Sequence, residues 1–535
     1  MPSAHSASPE KTKGKMRNER AILAAVLVAM ALPSLFVAAF LFHHGNNAFQ
    51  PDPLREGAAA CGHSSVSGSA GQQYQYEGNP CHILYSNSSV SAFNYTLSGG
   101  VDAAVALHDG LLLVPMSQPM NNLPLPSVSS SGTTDPLPTL NSAFIRPSYF
   151  PPSYWNFNGT WGKLAAYDAI TGKLLWEDNF SAPVMSQPIV VNGTAYISTG
   201  DDFVNNAYKR NGIYAINLST GRIAWSYPTV AEHMPTPLYY NGTLIILPGA
   251  GTGYDSNSVF ALDSGTGLPL WHIGIGAESA MSSPALVGNT MYFGARFYGG
   301  NFTAVNYYNT SANNTFPSGY SAFFAVNLDS RKMVWSTAFS IGMGPEDMPP
   351  AVWNGIVVGG YAQTFGNSSA LGTDLAPGGN VMPINRTTLD AYLIGMNSTT
   401  GKILWKIDEG KGTNPPRAKL SAPTIYEGIV YSDGDTTGIL YAVNASTGKV
   451  IWNFRTGPGD ANPAVADNHV LAINQTGTLF ALDMNGTLVS ERNLGLSMGW
   501  CGSGQLYVMG DKLAIGGENG KLLVLPLSSI LPTKS

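Results

Sequence analysis

The sequence contains little charge, and this shortage limits the classes of partner that it suits. Only 11% of its 535 residues are Asp, Glu, Lys or Arg, and the formal net charge is −6. This balance gives no sign of a nucleic-acid partner. Hydrophobic residues make up 44% of the chain, which is enough for a large core and argues against global disorder.

Several catalytic and metal-binding motifs are also missing. The three cysteines, Cys61, Cys81 and Cys501, form no C-x-x-C motif and no adjacent pair, and the nine histidines are scattered. The chain therefore lacks a zinc ligand set and a haem attachment motif, and it has no G-x-S-x-G nucleophile elbow. One disulfide with one thiol left over is compatible with these cysteines outside the cell, and their pairing stays open.

Long apolar runs are scarce, and the clearest lies near the N-terminus. A basic tail, residues 1–20, precedes 22 uncharged residues from Ala21 to Phe42. This length predicts a transmembrane anchor with a cytoplasmic tail, while "FVAAF" leaves a cleaved secretory signal as the alternative. Residues 43–81 then form a linker. In both cases we expect the rest of the chain outside, either tethered to the cell membrane or secreted, and sixteen N-x-S/T sequons after the segment agree with a glycoprotein.

A repeated motif ending in tryptophan dominates the remaining sequence. Its copies are "AYDAITGKLLW" (Ala166–Trp176), "AINLSTGRIAW" (Ala215–Trp225), "ALDSGTGLPLW" (Ala261–Trp271), "AVNLDSRKMVW" (Ala325–Trp335), "GMNSTTGKILW" (Gly395–Trp405) and "AVNASTGKVIW" (Ala442–Trp452). A degenerate copy, "ALDMNGTLVSE" (Ala481–Glu491), has lost its tryptophan.

The motif predicts two strands joined by a tight turn. Gly supplies the positive φ of the turn, and the tryptophan (Trp176, Trp225, Trp271, Trp335, Trp405 and Trp452) is expected to fill the space between neighbouring units. Another apolar hairpin precedes each copy, which gives four strands per unit. The sequence therefore predicts an all-β, eight-bladed propeller of four-stranded blades over residues 82–530. The last unit shows three strands, so we expect its outer strand to come from "CHILYSNSSVSAFNYTL" on the N-terminal side.

Three stretches exceed the repeat period: Met116–Thr160, Phe297–Gly319 and Tyr361–Leu389. Each is expected inside a blade, between strands. Long insertions in compact domains serve as lids, partner contacts or plain surface loops, and all three interpretations stay open. A homodimer formed through these insertions is one expectation.

The motif A-x-[DN]-x-x-T-G-x-x-x-W resembles the PQQ-like repeat of quinoprotein dehydrogenases and their relatives. The resemblance covers nearly all of residues 82–530. It is specific for the fold and weak for function, because the same fold carries enzymes and scaffolds.

One position of the repeat points to chemistry. Each inner strand begins after a proline, and we call the residue three places before that proline the entry position. In blades two to seven the entry position holds Met185, Met234, Met281, Asp347, Leu420 and Asp460. We expect the entry position to face the central channel. In blade 5 it holds the carboxylate of Asp347, whereas blades 2 to 4 have a methionine there. A low-dielectric mouth and the neighbouring Glu346 would raise the pKa of Asp347, as suits a general acid.

Plainer interpretations stand beside this one. Asp347 could simply cap a solvated turn before the Pro-Pro corner, and the methionines could be core filler. Asp460 and Trp500 are further candidates for substrate contact, and Cys501 next to Trp500 is either structural or reactive. The segment "DGDTTG" (Asp433–Gly438) resembles a calcium loop, but it lacks the later Glu and is interpreted as a hairpin turn.

Three functions follow from the resemblance. PQQ-dependent dehydrogenases hold their quinone against a disulfide between adjacent cysteines and bind calcium, and this chain has no adjacent cysteines, which disfavours PQQ. Tetrathionate hydrolases of acidophiles are secreted eight-bladed propellers without a quinone, in which an Asp acts as an acid. By analogy, the resemblance implies Asp347 as acid, a small anionic sulfur substrate and no cofactor or metal. A non-enzymatic envelope scaffold that binds proteins or peptides is the third.

Overall fold

The computed structural model describes most of the repeat region of the chain. It covers residues 85–531 apart from 87–89, 102, 118–161, 181, 201–210, 230, 232, 250–257, 278, 280, 298–303, 307–309, 313–320, 340–341, 346, 366–387, 414–421, 435–436, 460 and 499–504. All described residues belong to one compact unit, Leu54–Ser535. The predicted segment 21–42 and the three cysteines lie outside the described residues.

The first four blades are antiparallel four-stranded sheets, with strands in the order inner to outer. Blade 1 contains β3 (Ala106–His108), β4 (Leu111–Ser117), β5 (Gly162–Asp168) and β6 (Leu174–Phe180). Blade 2 contains β7 (Ile189–Val191), β8 (Thr194–Thr199), β9 (Asn211–Asn217) and β10 (Ile223–Thr229). Blade 3 contains β11 (Leu238–Tyr240), β12 (Thr243–Ile246), β13 (Ser258–Asp263) and β14 (Pro269–Gly274). Blade 4 contains β15 (Ala285–Val287), β16 (Thr290–Arg296), β19 (Ser321–Asn327) and β20 (Lys332–Phe339).

Blades 5 to 7 repeat this arrangement. Blade 5 contains β22 (Ala351–Trp353), β23 (Ile356–Phe365), β24 (Thr388–Asn397) and β25 (Ile403–Thr413), and β21 (Gly342–Met343) also pairs with β23. Blade 6 contains β26 (Thr424–Tyr426), β27 (Ile429–Asp433), β28 (Ile439–Asn444) and β29 (Val450–Arg455). Blade 7 contains β30 (Ala464–Ala466), β31 (His469–Ile473), β32 (Thr478–Asp483) and β33 (Leu488–Asn493).

Blade 8 joins the two ends of the described chain. Its C-terminal strands are β34 (Tyr507–Met509), β35 (Lys512–Gly516) and β36 (Lys521–Pro526), and β2 (Phe93–Thr96) pairs antiparallel with β36 as the outer strand. β1 (Tyr85–Ser86) adds a parallel pair to the inner strand β34. The eight-bladed propeller and its closure by an N-terminal strand are therefore confirmed.

The tight turn of the repeat is stabilised by its Asp or Asn. In blade 1, Asp168 Oδ1 accepts hydrogen bonds from the backbone N–H groups of Ile170 and Thr171 at 3.1 and 2.6 Å. The turn then passes through Gly172 at φ 71°. This side chain replaces the backbone partners that a turn lacks, which explains why the motif requires Asp or Asn there.

The apolar core lies between adjacent blades. Each of the larger buried clusters combines side chains of neighbouring sheets; one joins Val358 and Leu393 of blade 5 to Val430 and Leu440 of blade 6. Insertions enter between the second and third strands of blades 1, 4 and 5. Within the second insertion lies a hairpin of β17 (Ala304–Asn306) and β18 (Thr310–Ala312), and β17 lies beside β14 of blade 3.

Only one helix occurs in the described part of the chain, a 3-10 turn at Leu527–Ser529. Accordingly, within those residues, no helix has the length and apolar character needed to cross a bilayer.

Candidate functional site

The entry positions of blades 2 to 5 occupy equivalent places before successive inner strands. Met185, Met234, Met281 and Asp347 are each half-buried and lie just before β7, β11, β15 and β22. The fold therefore brings these four side chains to the same level of four neighbouring blades. Glu346, Asp460 and Trp500, the other predicted site residues, lie outside the described residues.

Hydrogen bonds between blades hold these entry segments in register. The Gln187 N–H donates to Thr236 Oγ1 at 3.1 Å, and the Thr236 N–H donates to Ser283 Oγ at 2.9 Å. Ser282 Oγ, in turn, donates to the Met348 carbonyl at 2.9 Å. All of these side-chain partners are buried, so the bonds are shielded from water and fix the blades relative to one another.

Asp347 lies in a short turn that precedes the inner strand of blade 5. The N–H groups of Asp347 and Met348 both donate to the Gly344 carbonyl at 2.9 Å. Gly344 has φ 128°, a conformation that favours glycine. Beside the turn, Pro345 packs against Gly294 of blade 4 so closely that an added Cβ there would overlap the Pro345 carbonyl. The position of the Asp347 turn therefore depends on blade 4.

A second acidic feature, Glu409 and Asp433, is buried between blades 5 and 6. The two side chains are 2% and 0% exposed. Asp433 ends β27, while Glu409 is skipped by the pairing of β24 with β25 and so forms a β-bulge beside Gly410, which has φ 104°. A β-bulge changes the direction of a side chain relative to the regular strand. Here the bulge leaves the carboxylate of Glu409 inside the protein.

Burial controls the ionisation of both groups. It raises the pKa of Asp433 to about 7, although hydrogen bonds from Thr456 and from the Gly434 N–H act in the opposite direction. The Thr456 bond to Asp433 Oδ1 measures 3.0 Å. Burial, followed by the charges of Asp433 and Asp408, holds the pKa of Glu409 well above its usual range, and neither of its carboxylate oxygens has a hydrogen-bond donor among the described residues. Both groups are therefore carboxylic acids in acidic surroundings.

The buried acids adjoin another entry segment. A Cβ built on Gly459 would lie 3.4 Å from Asp433 Oδ2, and Gly459 directly precedes the entry position Asp460. The sequence pattern identifies neither acid, because "DGDTTG" is typical of a plain hairpin turn and Glu409 belongs to an ordinary outer strand. One signal was available: at the place of Asp433, blades 2 and 4 carry the small residues Ser198 and Gly294.

The described side chains form no metal centre, and the cysteines of the sequence do not provide a quinone platform of the known kind. Among the described residues, no group of three or more His, Cys, Asp or Glu side chains is arranged to hold a metal ion. PQQ enzymes stack the quinone on a disulfide between adjacent cysteines. No two cysteines of this chain are adjacent, and the two closest in the sequence are Cys61 and Cys81.

Comparison with known proteins establishes the family. The PQQ_2 family model, described as outer membrane protein assembly factor BamB, matches residues 157–345 and 389–529. The chain belongs to this family of PQQ-like repeat propellers. The match covers more than half of the chain and both sides of the third insertion.

Within the family, relatives of different activity are similar to the chain. Tetrathionate hydrolase of Acidithiobacillus ferrooxidans is 28% identical over 291 residues, which are 50% of this chain and 48% of that protein. Tetrathionate hydrolase of Acidianus ambivalens is 29% identical over 126 residues, 21% of this chain and 22% of that protein. The chain thus spans half or less of the length of these two relatives.

The assembly factor BamB is similar over a larger share of its own length. BamB of Yersinia pestis is 24% identical over 355 residues, 60% of this chain and 79% of that protein. The crystal structure of BamB from Moraxella catarrhalis superposes with a TM-score of 0.50 at 15% identity, covering 82% of this chain and 99% of that structure. At this identity the structural likeness concerns the fold alone.

Proposed function

We propose that this protein is an extracytoplasmic hydrolase of the tetrathionate hydrolase kind, with Asp347 as its general acid. The observation that carries the proposal is the similarity of half the chain to the Acidithiobacillus ferrooxidans enzyme. The entry positions agree with it, since Asp347 follows Met185, Met234 and Met281 in successive blades. Thioether sulfur is soft and polarizable, which suits a wall that contacts a chain of sulfur atoms.

The proposed reaction is balanced without an external oxidant or reductant. A water oxygen attacks one sulfonate sulfur of tetrathionate, and the bond from that sulfur to the neighbouring sulfane sulfur breaks. Asp347 gives its proton to the departing sulfur, and the water proton that is lost restores the acid. The products are hydrogensulfate and HS–S–SO3−, which releases sulfur to leave hydrogen thiosulfate. Here general acid catalysis lets the departing sulfur leave as a neutral S–H group in place of a thiolate, so that the leaving group carries one negative charge and not two.

Acidic surroundings fit the rest of the molecule. The chain carries few basic groups to repel one another, and its buried acids Glu409 and Asp433 are neutral at low pH.

The localisation belongs to the same proposal: residues 21–42 hold the chain in the membrane or direct its secretion, and the propeller lies outside. The insertions at 116–160, 297–319 and 361–389 are proposed to cover the channel mouth at the entry positions and to join two copies of the chain.

The test is hydrolysis of tetrathionate by the purified full-length protein at acidic pH, followed as release of sulfate and thiosulfate. Asp347→Asn should lower kcat by about 10²–10⁴-fold while the circular dichroism spectrum and the melting temperature stay unchanged. Asp511→Asn is the matched control, since the Asp511 carboxylate is 82% exposed in a hairpin turn of blade 8. A folded Asp347→Asn variant with full activity would remove Asp347 from the mechanism, and a wild-type protein without turnover would remove the hydrolase itself.

A scaffold function is the second candidate, because BamB of Yersinia pestis is matched over 79% of its length. Its strand-edged blades would then bind extended peptides by adding a strand. Saturable binding of strand-forming peptides by a protein that does not consume tetrathionate favours the scaffold. Turnover of tetrathionate without such binding favours the hydrolase.

A further inference from the structure

Neighbouring blades are joined by one recurrent contact, which we call the tryptophan staple. The indole Nε1–H of a repeat tryptophan donates to a backbone carbonyl in the turn of the next blade. Five staples have this bond, at 2.7–2.9 Å: Trp176 to Leu218, Trp225 to Ser264, Trp335 to Ser398, Trp405 to Ala445 and Trp452 to Met484.

A glycine in the next blade makes room for each staple. Gly221, for example, has φ 70°, and a Cβ added to it would lie 2.6 Å from Cδ2 of Trp176. Such an approach is closer than real Cβ atoms permit. The staple therefore requires both a tryptophan and a facing glycine.

The junction between blades 3 and 4 departs from this rule. Arg331 stands at the glycine position, with φ 56°. Trp271 faces it and, within the described part of the chain, makes no staple bond. Instead, the Arg331 guanidinium carbon lies over the Trp271 ring, 5.6 Å from its centroid. A guanidinium stacked on an aromatic ring keeps its N–H edge available for a planar or tetrahedral oxoanion.

A pocket of about 190 Å³ opens at this junction, lined by Tyr240, Thr243, Trp271, Asp329 and Arg331 among others. Trp271 is only 7% exposed, so most of its surface is buried while its face lines the pocket. Asp329 is already held by two neutral donors, Tyr240 Oη at 2.6 Å and Asn289 Nδ2 at 2.7 Å. Among the described residues Arg331 forms no salt bridge, with Asp329 or with any other carboxylate.

We propose that this pocket binds a small oxoanion of the sulfate and thiosulfate class. Arg331 supplies the positive charge and a forked pair of N–H donors. The Trp271 indole N–H, released from its staple, and the Thr243 hydroxyl supply neutral donors from the facing blade. The pocket lining includes none of the entry positions. The choice of sulfate and thiosulfate rests on the proposed function, whereas the anion site itself rests on Arg331 and Trp271 alone.

Asp329 limits the strength of anion binding at the site. Hydrogen bonds from Tyr240 and Asn289 lower the pKa of Asp329, so the carboxylate stays ionised and repels an anion in the pocket. Removing this charge in Asp329→Asn should therefore tighten oxoanion binding, while the other lining groups are retained.

The test measures thermal stabilisation of the full-length protein by sodium sulfate and by sodium thiosulfate, each against sodium chloride at equal ionic strength. A ligand that binds only the folded state raises the melting temperature in a saturable way. Arg331→Gly restores the repeat motif and should weaken binding by about tenfold or more, because a charge-assisted bidentate contact is lost. Arg222→Gly is the matched control, since Arg222 lies in the equivalent turn of blade 2, next to an intact staple.

Trp271→Phe provides a second measurement that keeps an aromatic ring near Arg331 and removes the indole N–H together with part of the ring system; it should weaken binding without abolishing it. Saturable stabilisation that is lost in Arg331→Gly, kept in Arg222→Gly and increased in Asp329→Asn supports the site. Equal responses of the wild type and Arg331→Gly overturn it, as does stabilisation by chloride to the same extent.

Discussion

Ser282 Oγ donates to the carbonyl of Met348 over 2.9 Å, and this bond joins blade 4 to blade 5 one residue after Met281 and one residue after Asp347. The same Ser282 oxygen accepts the N–H of Gly294 at 3.0 Å. A single buried hydroxyl thus ties the candidate acid to the strands of the preceding blade.

Ser282→Ala should act on both stability and activity. Removing the hydroxyl leaves a buried N–H and a buried carbonyl unpaired, which should cost about 1–3 kcal/mol of unfolding free energy. If Asp347 is the acid, a displaced turn lowers kcat more than it raises KM. Ser186→Ala is the control, since Ser186 makes the equivalent pair of bonds with Ser198 inside blade 2. Equal kcat in the two variants would mean that the Ser282 bond does not position the acid.

Gly294→Ala should displace the Asp347 turn by steric contact. An added Cβ would overlap the backbone carbonyl of Pro345, so one of the two blades must move. We expect a loss of about 1–3 kcal/mol from overpacking, together with a fall in tetrathionate turnover. Gly265→Ala, where the nearest atom to an added Cβ is Asp263 Oδ1 at 3.5 Å, should change neither quantity. A Gly294→Ala protein as stable and active as wild type contradicts the close approach of the two blades.

Stability should be higher in acid than at neutral pH because of Glu409 and Asp433. Both carboxyl pKa values are raised in the folded state, so the native protein holds protons that the unfolded chain releases. The contribution of Asp433 is fully present below the ordinary carboxyl pKa and is lost as the pH rises through about 7, and the contribution of Glu409 is lost as the pH rises through its own raised pKa. For Asp433 alone the full effect is on the order of 4 kcal/mol.

Chemical unfolding across the pH range measures this effect. Asp433→Asn and Glu409→Gln should each flatten the loss of stability between acidic and neutral pH. Asp168→Asn provides a control of opposite sign, because hydrogen bonds from Thr171 lower the pKa of Asp168 and its contribution disappears as the pH falls. An unchanged slope in both buried-acid variants would show that these groups do not control the pH dependence.

Gly401→Ala should be more damaging than Gly355→Ala, although both glycines have positive φ (70° and 77°). Backbone strain costs about 1 kcal/mol at either position. At Gly401 the new Cβ would also meet Trp335 Cε3 at 2.6 Å, whereas at Gly355 its nearest neighbour is Ser398 Oγ at 3.8 Å. Thermal unfolding should therefore separate the two variants by a further 1–3 kcal/mol, about the cost of overpacking. Equal melting temperatures would mean that the staple tolerates a side chain.

The fold could be predicted because the same turn and strand motif recurs in most blades. The Asp or Asn and the glycine of each turn fix a hairpin through local contacts, as Asp168 and Gly172 illustrate, while the tryptophan joins each hairpin to the next blade. The closing strand was also predictable, since three strands at the C-terminus leave one partner to be supplied. The absence of a fourth strand in the last repeat thus predicted the pairing with an N-terminal strand.

The candidate site could be predicted only in part. The entry position of Asp347 follows from the repeat, so its level in the ring was predictable, whereas its role remains a prediction. The buried pair of Glu409 and Asp433 depends on a bulge in one blade and a strand end in the next, and no periodic pattern connects them. Arg331 was visible as a departure from the motif, but only the structure relates it to the unstapled Trp271.

The pairing of β2 with β36 has a consequence for how the molecule is made. Synthesis delivers β2 before the strands of blades 1 to 7 and delivers β36 after them, so β2 waits for nearly the whole propeller to emerge. At about 5–20 residues per second this interval is on the order of a minute. During this interval the incomplete propeller exposes two unpaired strand edges. A chain truncated before Lys521 lacks β36 and cannot close the ring by pairing with β2. Completion of the ring therefore requires that synthesis has passed through blade 8.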